Sequence, residues 1–491
     1  MNKKRITSTI CLTLMLIVSL VLGGCQSGGT GNNDSEKETA QEERVKIIMD
    51  NNSTEQYQQL FNEIAEELGI VIDLVVAPDN YELFLQTQLQ SSDPPDLFKL
   101  PGWQVTAFVN DELTVDLNTY FNGSWKEELG ADWDALAKGV FNQHRREAND
   151  ATKQTDDQDA PLWAIPFDAG CQSFGVNRGI IESSAELSGK LDEMVSVGLV
   201  PCKPWELGSD GQVEAYTHTE FKELLKGFQE IISAGNLAGD AENLQYAFQG
   251  NDALKLMVYS ANASFLNETS DTVTLLDDAI VDVFHFIKEG INEGYINSMQ
   301  DGGEGWNNWT AGMHLISGNT GTWEYATYLE LEKDIAMIPV PVPDNAPRTQ
   351  WTGGQTGSAM GIRKGSQNEE LAAAVMCSFI SRDSENFQLE NAMNMPIYED
   401  SWQKFIDGND PVNGFFPYDA GTKEVFNNVI SGGHGRPQET YFTVGRTWWS
   451  TLGDDFVNVF CLDPSIETRE DVQNWLEAQE SAIQTLLESG Q

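Results

Sequence analysis

The sequence predicts an α/β protein with more than one lobe. Apolar, strand-like runs alternate with amphipathic helical patterns at the start of the folded body, and the same alternation returns in the second half of the chain. Two stretches, 161–170 and 341–354, contain the Pro and Gly residues that are typical of crossings between lobes. With 491 residues, 40% of them hydrophobic, the chain is long enough for two or three domains.

The first elements are predicted to form a strand–helix–strand unit. Residues 45–49 are nearly all apolar, and residues 57–68 carry apolar side chains at helical spacing until Gly69 ends the helix. Residues 70–76 are again almost continuously apolar, as expected for a strand that is covered on both faces. This order indicates a parallel sheet, because parallel neighbours need a crossover connection between them.

Later segments repeat this order of elements without repeating the sequence. Thr217 and Glu220 form a capping box that predicts the start of an amphipathic helix. Residues 334–340 and 358–362 are predicted strands, and Ser366 is predicted to cap the helix that follows them. Thr468 is predicted to open the last helix, which has one apolar face.

The N-terminus predicts export. Basic residues precede an apolar run at 10–22 that is too short for a bilayer core of about 30 Å, and the run ends in a Leu-Gly-Gly-Cys sequence that resembles a bacterial lipobox. We therefore expect a signal peptide at 1–24, a lipidated Cys25, and a flexible tether at 25–44. The alternative is an ordinary signal peptide with an incidental cysteine. The lipobox interpretation places the protein at the outer face of the bacterial cytoplasmic membrane.

Charge and cysteine content exclude some partners and leave one question open. The formal charge of −47 argues against nucleic acid and against adsorption to anionic lipid, since both depend on Lys and Arg. The remaining four cysteines allow three disulfide pairings, and buried free thiols are an equally good interpretation. Their spacing matches no zinc site, and we predict no cofactor or metal. The four are Cys171, Cys202, Cys377 and Cys461.

A series of motifs then resembles the family 1 extracellular solute-binding proteins of ABC importers, the group that contains maltose-binding protein. The resemblance is carried by residues 95–98 with 113–117, by 162–167 with 175–178, by 312–315 with 321–323, and by 336–339 and 436–449. It implies a two-lobed, type II periplasmic-binding-protein-like fold, in which each lobe is a mainly parallel sheet flanked by helices and several crossings form the hinge. The implied lobes are 45–165 plus 350–393 and 166–349 plus 394–491.

Aromatic and polar residues at the implied cleft are the candidate ligand contacts. Sugars pack C–H faces on aromatic rings, while their hydroxyl groups need hydrogen-bond partners. The resemblance places Trp103, Trp323, Trp351 and Trp448 (or its neighbour Trp449) near the cleft, and core packing is the alternative for each. Asn51 and Asn52 follow the first strand. The crossings add Asp168, Gln172, Gly354 and Gln355, and Trp306 and Trp309 could form an additional aromatic wall.

The resemblance implies a monomeric binder that captures a carbohydrate, most simply an oligosaccharide, and delivers it to permease subunits. No paired histidines, Gly-x-Ser-x-Gly elbow or phosphate-binding loop supports an enzyme. Two alternatives remain open: a secreted carbohydrate-active enzyme, and a binder of a peptide or another non-sugar solute.

Overall fold

A computed structural model describes residues 43–490, apart from 51–53, 79, 122–143, 149, 156, 158, 209, 251–252, 298–304, 392, 408–418, 438 and 444. The predicted signal peptide, Cys25, all but the last two residues of the tether, and Asn51 and Asn52 lie outside these residues. Among the helices of the described part, none has the length and apolar character needed to span a bilayer.

The described residues contain thirteen strands and seventeen α-helices. The strands are β1 (Arg44–Met49), β2 (Val71–Val76), β3 (Leu97–Lys99), β4 (Arg146–Glu147), β5 (Asp150–Gln154), β6 (Ile165–Pro166), β7 (Cys171–Asn177), β8 (Tyr246–Gln249), β9 (His314–Gly321), β10 (Ile335–Ile338), β11 (Gly353–Gln355), β12 (Ala359–Ile362) and β13 (Gly435–Arg436). The helices are α1 (Thr54–Leu68), α2 (Tyr81–Leu89), α3 (Val105–Asn110), α4 (Asn118–Phe121), α5 (Arg178–Ser183), α6 (Ala185–Ser196), α7 (His218–Ser233), α8 (Ala253–Ser260), α9 (Asp278–Glu293), α10 (Gly305–Thr310), α11 (Tyr325–Glu330), α12 (Glu369–Phe379), α13 (Arg382–Glu390), α14 (Glu399–Asp407), α15 (Ala420–Ile430), α16 (Thr447–Asp455) and α17 (Arg469–Ser489).

The first lobe is built on a five-stranded sheet in the order β2-β1-β3-β12-β6. All of its strands except β12 run in the same direction, because β12 is antiparallel to both β3 and β6. Alternate residues of β1 enter different cores: Val45 and Ile47 pack in one cluster and Ile48 in another. The predicted mainly parallel sheet, covered on both faces, is confirmed.

The second lobe is built on a six-stranded sheet in the order β13-β11-β7-β9-β8, with β10 also paired to β7. Here β7 is the one strand that runs against the others. Residues of β10 alternate between two layers, since Ala336 and Ile338 pack on one face and Ile335 and Met337 on the other. Buried side chains of α16 and α17, among them Trp448 and Leu476, belong to the same core cluster as Ala336 and Ile338.

Two of the three predicted helix starts are confirmed. The Thr217–Glu220 capping box opens α7, and Thr468 forms a capping box with Asp471 at the start of α17. The predicted cap at Ser366 is wrong: α12 begins at Glu369 after Asn368. The Ser366 hydroxyl donates a hydrogen bond to the buried Asp96 carboxylate and accepts one of 3.0 Å from the Asn368 backbone N–H, so it holds the turn that precedes the helix.

The lobes are joined by crossings that lie side by side. The first connects β6 to β7 and the second connects β11 to β12. They pair in opposite directions, with hydrogen bonds from Phe167 N to Ser358 O and from Thr356 N to Gly170 O, both 2.9 Å long. The second crossing therefore lies at Thr356–Ser358, and its predicted position at 341–354 is wrong. Pro and Gly residues interrupt regular pairing there while the chain is still in the second lobe.

The position of β11 also bears on the lobe boundaries. A boundary at 350 would place β11 in the first lobe, but β11 pairs with β7 and β13 of the second sheet. Pro166, by contrast, pairs with Ala359 in the first sheet. We propose that the first two boundaries fall within 167–170 and 356–358. A third crossing follows α13, where Met393 packs in the first lobe and Met395 in the second.

Gly357 is expected to be needed for the paired crossings. A Cβ atom at this position would lie 2.5 Å from the backbone oxygen of Asp168, which cannot move without disturbing the neighbouring crossing. We expect Gly357→Ala to lower the free energy of unfolding by about 1–3 kcal/mol in urea denaturation. The matched control is Gly189→Ala in α6, where nothing lies within 4 Å and stability should stay equal or rise by up to about 1 kcal/mol. Equal stability of the two variants would contradict the prediction.

Candidate binding cleft

The cleft lies where the carboxyl ends of strands from both sheets face each other. In the first sheet β1, β2, β3 and β6 end at the edge from which the first crossing leaves. In the second sheet β8, β9, β11 and β13 end at the edge that this crossing reaches. Loops after parallel strands form ligand sites in open α/β sheets, so these two edges define the candidate site.

On the first lobe, a charged pair lies at this edge. Asp50 follows β1 and forms an ion pair with Lys99 at the end of β3, and both side chains are largely buried. The Tyr81 hydroxyl, at the start of α2, donates a hydrogen bond of 2.5 Å to the Lys99 backbone oxygen. Burial raises the pKa of Tyr81 well above its usual value, so this hydroxyl keeps its proton. The edge thus carries fixed donors and acceptors.

Asp168 connects all three crossings. It lies in the first crossing, accepts a hydrogen bond of 2.9 Å from the backbone N–H of Met395 in the third, and accepts another from the Ser358 backbone in the second. Burial raises the pKa of Asp168 to about 6, although the two backbone donors and Lys99 oppose this shift. The predicted ligand contact is therefore also a structural group of the hinge.

On the second lobe, Trp323 projects from the cleft edge. It follows β9 in a short 3-10 turn, Thr322–Glu324, and its side chain is 48% exposed. The indole lies across Gly321, where a Cβ atom would come within 2.3 Å of the ring. Glu324 accepts a hydrogen bond of 3.2 Å from Gly321 N and closes the turn. The sequence Gly-Thr-Trp thus presents a flat aromatic face in a fixed orientation.

The crossing strands contribute polar groups on neighbouring positions. Gln172 is the second residue of β7 and pairs with Gly354 of β11, and its Oε1 lies 3.5 Å from Lys255 Nζ. A Cβ atom on Gly354 would lie 2.8 Å from this Oε1, so glycine makes room for the amide. Gln355, at the end of β11, lines a cavity of about 540 Å³ together with Trp402.

The predicted tryptophans differ in their exposure. Trp351 and Trp448 are each only 1% exposed and pack in the core of the second lobe, so the structure does not bring them to the cleft surface. Trp449 is partly buried and packs edge-on against Phe265. The backbone of Trp103 lies in a short turn after β3, at the first lobe's cleft edge, and its side chain is outside the described part.

Contacts between the lobes away from the crossings were not predicted. Arg446, which precedes α16, forms an ion pair of 2.7 Å with Glu82 in α2 of the first lobe. The guanidinium of Arg146 in β4 lies 5.3 Å from the ring centroid of Phe442. Phe442 belongs to a turn, Glu439–Phe442, that the Tyr259 hydroxyl anchors to α8 by donating a hydrogen bond to Glu439. These contacts hold the lobes together at a second place.

Sequence reasoning overlooked several charged residues of the site. Lys99, Lys255, Glu82 and Arg446 were not among the candidates. Lys99 carried a usable signal, because it is a charged residue at the end of a short apolar strand. The other three lie on helices or loops whose relative positions no local pattern encodes. The Glu82–Arg446 partners are 364 residues apart in the chain.

The four described cysteines are free thiols. Of the two alternatives that the sequence left open, disulfides and free thiols, the structure therefore shows the second. Burial raises the pKa of Cys171 well above its usual value and that of Cys461 to about 12, so these thiols stay protonated. Within the described residues, no group of three or more His, Cys, Asp or Glu side chains is placed to hold a metal ion.

The fold and the cleft define a two-lobed binding protein, and the family match agrees. Residues 50–376 match the model of the bacterial extracellular solute-binding protein family. The chain belongs to this family, as its sequence motifs indicated. No curated protein sequence matches it.

Solved structures share the architecture at low sequence identity. An ABC substrate-binding protein from Listeria monocytogenes, in complex with cycloalternan, aligns with a TM-score of 0.66 and 13% identity, covering 91% of this chain and 99% of that one. The GacH receptor of Streptomyces glaucescens, solved with acarbose, aligns with a TM-score of 0.63 and 15% identity, covering 91% of this chain and 99% of that one. UgpB from Mycobacterium tuberculosis, in complex with glycerophosphocholine, aligns with a TM-score of 0.62 and 14% identity, covering 91% of this chain and 98% of that one. At these identities the likeness shows the fold alone.

The Asp168 carboxylate should make stability depend on pH. Its folded-state pKa of about 6 lies above the ordinary 3.8. The folded state therefore binds the proton more tightly, and this stabilisation is fully present below about pH 4 and is lost as the pH rises through 6. Two pKa units correspond to about 3 kcal/mol. We therefore compare the unfolding free energies of the wild type and Asp168→Asn in urea titrations at a series of pH values. The difference, wild type minus variant, should fall by up to about 3 kcal/mol between about pH 4 and pH 7.

The exposed Asp111 provides the matched control. Measured in parallel, Asp111→Asn accounts for the general effect of removing one negative charge from the protein. A difference between the wild type and Asp168→Asn that is the same at every pH would contradict the assignment.

Proposed function

We propose that this protein is the substrate-binding component of an ABC importer and captures a carbohydrate between its two lobes. The observation that carries this proposal is the exposed indole of Trp323, held across Gly321 at the cleft edge. A large exposed aromatic ring in a concave site is expected where a ligand covers it. The opposite edge carries Asp50, Lys99 and Tyr81, which suit the hydroxyl groups of a sugar.

The proposed mechanism is hinge closure. A ligand that contacts both edges binds the closed form better than the open form, and it shifts the population by the difference in affinity. The paired crossings allow rotation about a short axis, while the Arg446–Glu82 ion pair adds stability only when the lobes are close. Both side chains are partly exposed, so the pair is worth at most about 1 kcal/mol. The permease would recognise the closed form.

A binder accounts for the site better than an enzyme does. The buried titratable groups near the cleft have structural partners: Asp168 accepts from backbone amides, and Tyr81 donates to a backbone oxygen. We therefore propose that the protein releases its ligand unchanged. Binding of a non-sugar solute is the second candidate, because the structurally similar UgpB was solved with glycerophosphocholine.

We also propose that the protein is exported, anchored by lipid at Cys25, and monomeric. The apolar run and the Leu-Gly-Gly-Cys sequence support export and lipidation. The polar segment that follows would act as a flexible tether and keep the binder near its permease, which raises the effective local concentration of captured ligand.

Replacing Trp323 should separate ligand binding from folding. We expect at least one glycan of a panel to raise the thermal midpoint of the wild type, because a ligand of the native state stabilises it. Trp323→Ala should then weaken binding of that glycan about tenfold or more in calorimetric titrations, while the midpoint of the free protein stays nearly unchanged.

The control is Val459→Ala, which trims another exposed apolar side chain of the second lobe, 46% exposed. It should bind like the wild type. No midpoint shift with any glycan, together with a shift with peptides or glycerophosphodiesters, would overturn the carbohydrate proposal. Turnover of a glycan would overturn the binder proposal.

Lipidation predicts a second measurable property. In a bacterial host that processes lipoproteins, the wild type should fractionate with membranes and incorporate labelled fatty acid. Cys25→Ser should lose the label and appear in the soluble exported fraction or as unprocessed precursor, since the acceptor thiol is gone. Cys202→Ser, which removes a thiol of the folded body, should behave like the wild type. Labelling that persists in Cys25→Ser would refute the anchor.

A further inference from the structure

We propose that Trp306, which packs on the buried ring of Tyr328, forms an outer aromatic subsite beside Trp323 and binds a further ring of an oligosaccharide. This inference rests on the proposed carbohydrate function and specifies the ligand: a chain of sugar units that extends along the second lobe beyond Trp323.

The exposure of Trp306 is the first observation. Among the large apolar side chains that the described residues leave exposed, two are aromatic: Trp323 at 48% and Trp306 at 39%. The other members of this group are Leu and Val residues spread over the surface. Burying a tryptophan stabilises a protein, so two indoles that stay exposed in neighbouring elements suggest a common function.

The path of the chain brings the start of α10 toward the cleft. Residues 295–297 run beside β8 in the same direction, with hydrogen bonds from Phe248 N to Tyr295 O and from Asn297 N to Phe248 O. The chain therefore heads for the edge where β8 and β9 end. The next strand, β9, starts at the opposite edge, so α10 must lead back toward it. Trp306 is the second residue of α10 and lies at the end of this helix that is farther along the chain from the start of β9.

The ring of Trp306 packs on a side chain that is held in place. Its centroid lies 5.8 Å from that of Tyr328, with an interplanar angle of 31°. The Tyr328 hydroxyl accepts a hydrogen bond of 2.8 Å from Trp309 Nε1 and donates one of 2.6 Å to Glu324 Oε2. Core packing explains Trp309 and Tyr328, which are both buried, but it leaves the exposed area of Trp306 unexplained.

The same carboxylate connects this subsite to Trp323. Glu324 Oε2 accepts hydrogen bonds from both Tyr328 Oη and Gly321 N, and Gly321 is the residue that the Trp323 indole covers. Trp323 lies in the 3-10 turn that leads directly into α11, the helix that carries Tyr328. Two exposed indoles that are connected through one carboxylate suit successive rings of one ligand better than a single ring.

Chain-length dependence tests the subsite. The probes are malto- and cello-oligosaccharides of one to five units, titrated calorimetrically into the wild type, Trp306→Ala and Trp323→Ala. We expect Trp306→Ala to weaken binding of the longer members about fivefold or more and to leave the shortest member that binds within about twofold of the wild type. Trp323→Ala should weaken all members alike.

Two further variants control for aromatic character and for folding. Trp306→Phe keeps an aromatic face and should recover most of the affinity for long ligands, whereas Trp306→Gln should resemble Trp306→Ala. Val459→Ala should match the wild type at every length. Thermal midpoints of the free proteins show whether each variant is folded.

The outcomes separate this proposal from the one on which it rests. Suppose that the wild type binds these glycans. If Trp306→Ala and Trp306→Gln then bind every chain length as tightly as the wild type, or lose the same affinity at every length, the outer subsite is refuted and the carbohydrate function stands. If the wild type binds no member of either series or of the wider glycan panel, the carbohydrate function fails and the subsite fails with it.

Discussion

The relative position of the two lobes depends on chain crossings that pair with each other. A single crossing would leave the sheets free to rotate about many bonds, whereas two antiparallel segments, bonded from Phe167 to Ser358 and from Thr356 to Gly170, restrict the motion to bending of a short ribbon. The Asp168 carboxylate adds the third crossing through the Met395 amide. Because the same ribbon fixes which strand ends face each other, the position of the cleft depends on it.

This constraint explains why a hinge can also be part of a binding site. Asp168 is buried beside three backbone segments, and its raised pKa reflects the cost of keeping a charge there. A group in this position is sensitive to the angle between the lobes, and in the proposed function it would also lie beside the ligand. The ion pair between Arg446 and Glu82 lies far from the crossings in sequence and shows that the lobes also meet away from them. In the proposed mechanism, the closed form is stabilised both by ligand contacts and by weak contacts between the two lobes.

The tryptophans of the second lobe differ in how far they are exposed to solvent. Trp351 and Trp448 fill the interior of the second lobe, while Trp323 and Trp306 remain open to solvent. The family match fixes the class of protein, yet its structural relatives were solved with ligands as different as cycloalternan and glycerophosphocholine. The fold therefore does not select the ligand. The proposal of a carbohydrate ligand therefore rests on the exposed indoles of Trp306 and Trp323 and on the polar groups at the opposite edge of the cleft.

The sequence by itself determined the elements and their order, because the apolar periods of strands and helices and the capping boxes at Thr217 and Thr468 are local patterns. It also carried the motifs of the family. Only the tertiary structure decided which side chains are exposed, which lobe contains β11, and which partners meet across long separations. The Asp168 carboxylate and the Met395 amide are 227 residues apart, and Glu82 and Arg446 are 364 apart. Such contacts depend on how the sheets pack, and sequence spacing along one element contains no information about depth in the fold or about distant neighbours.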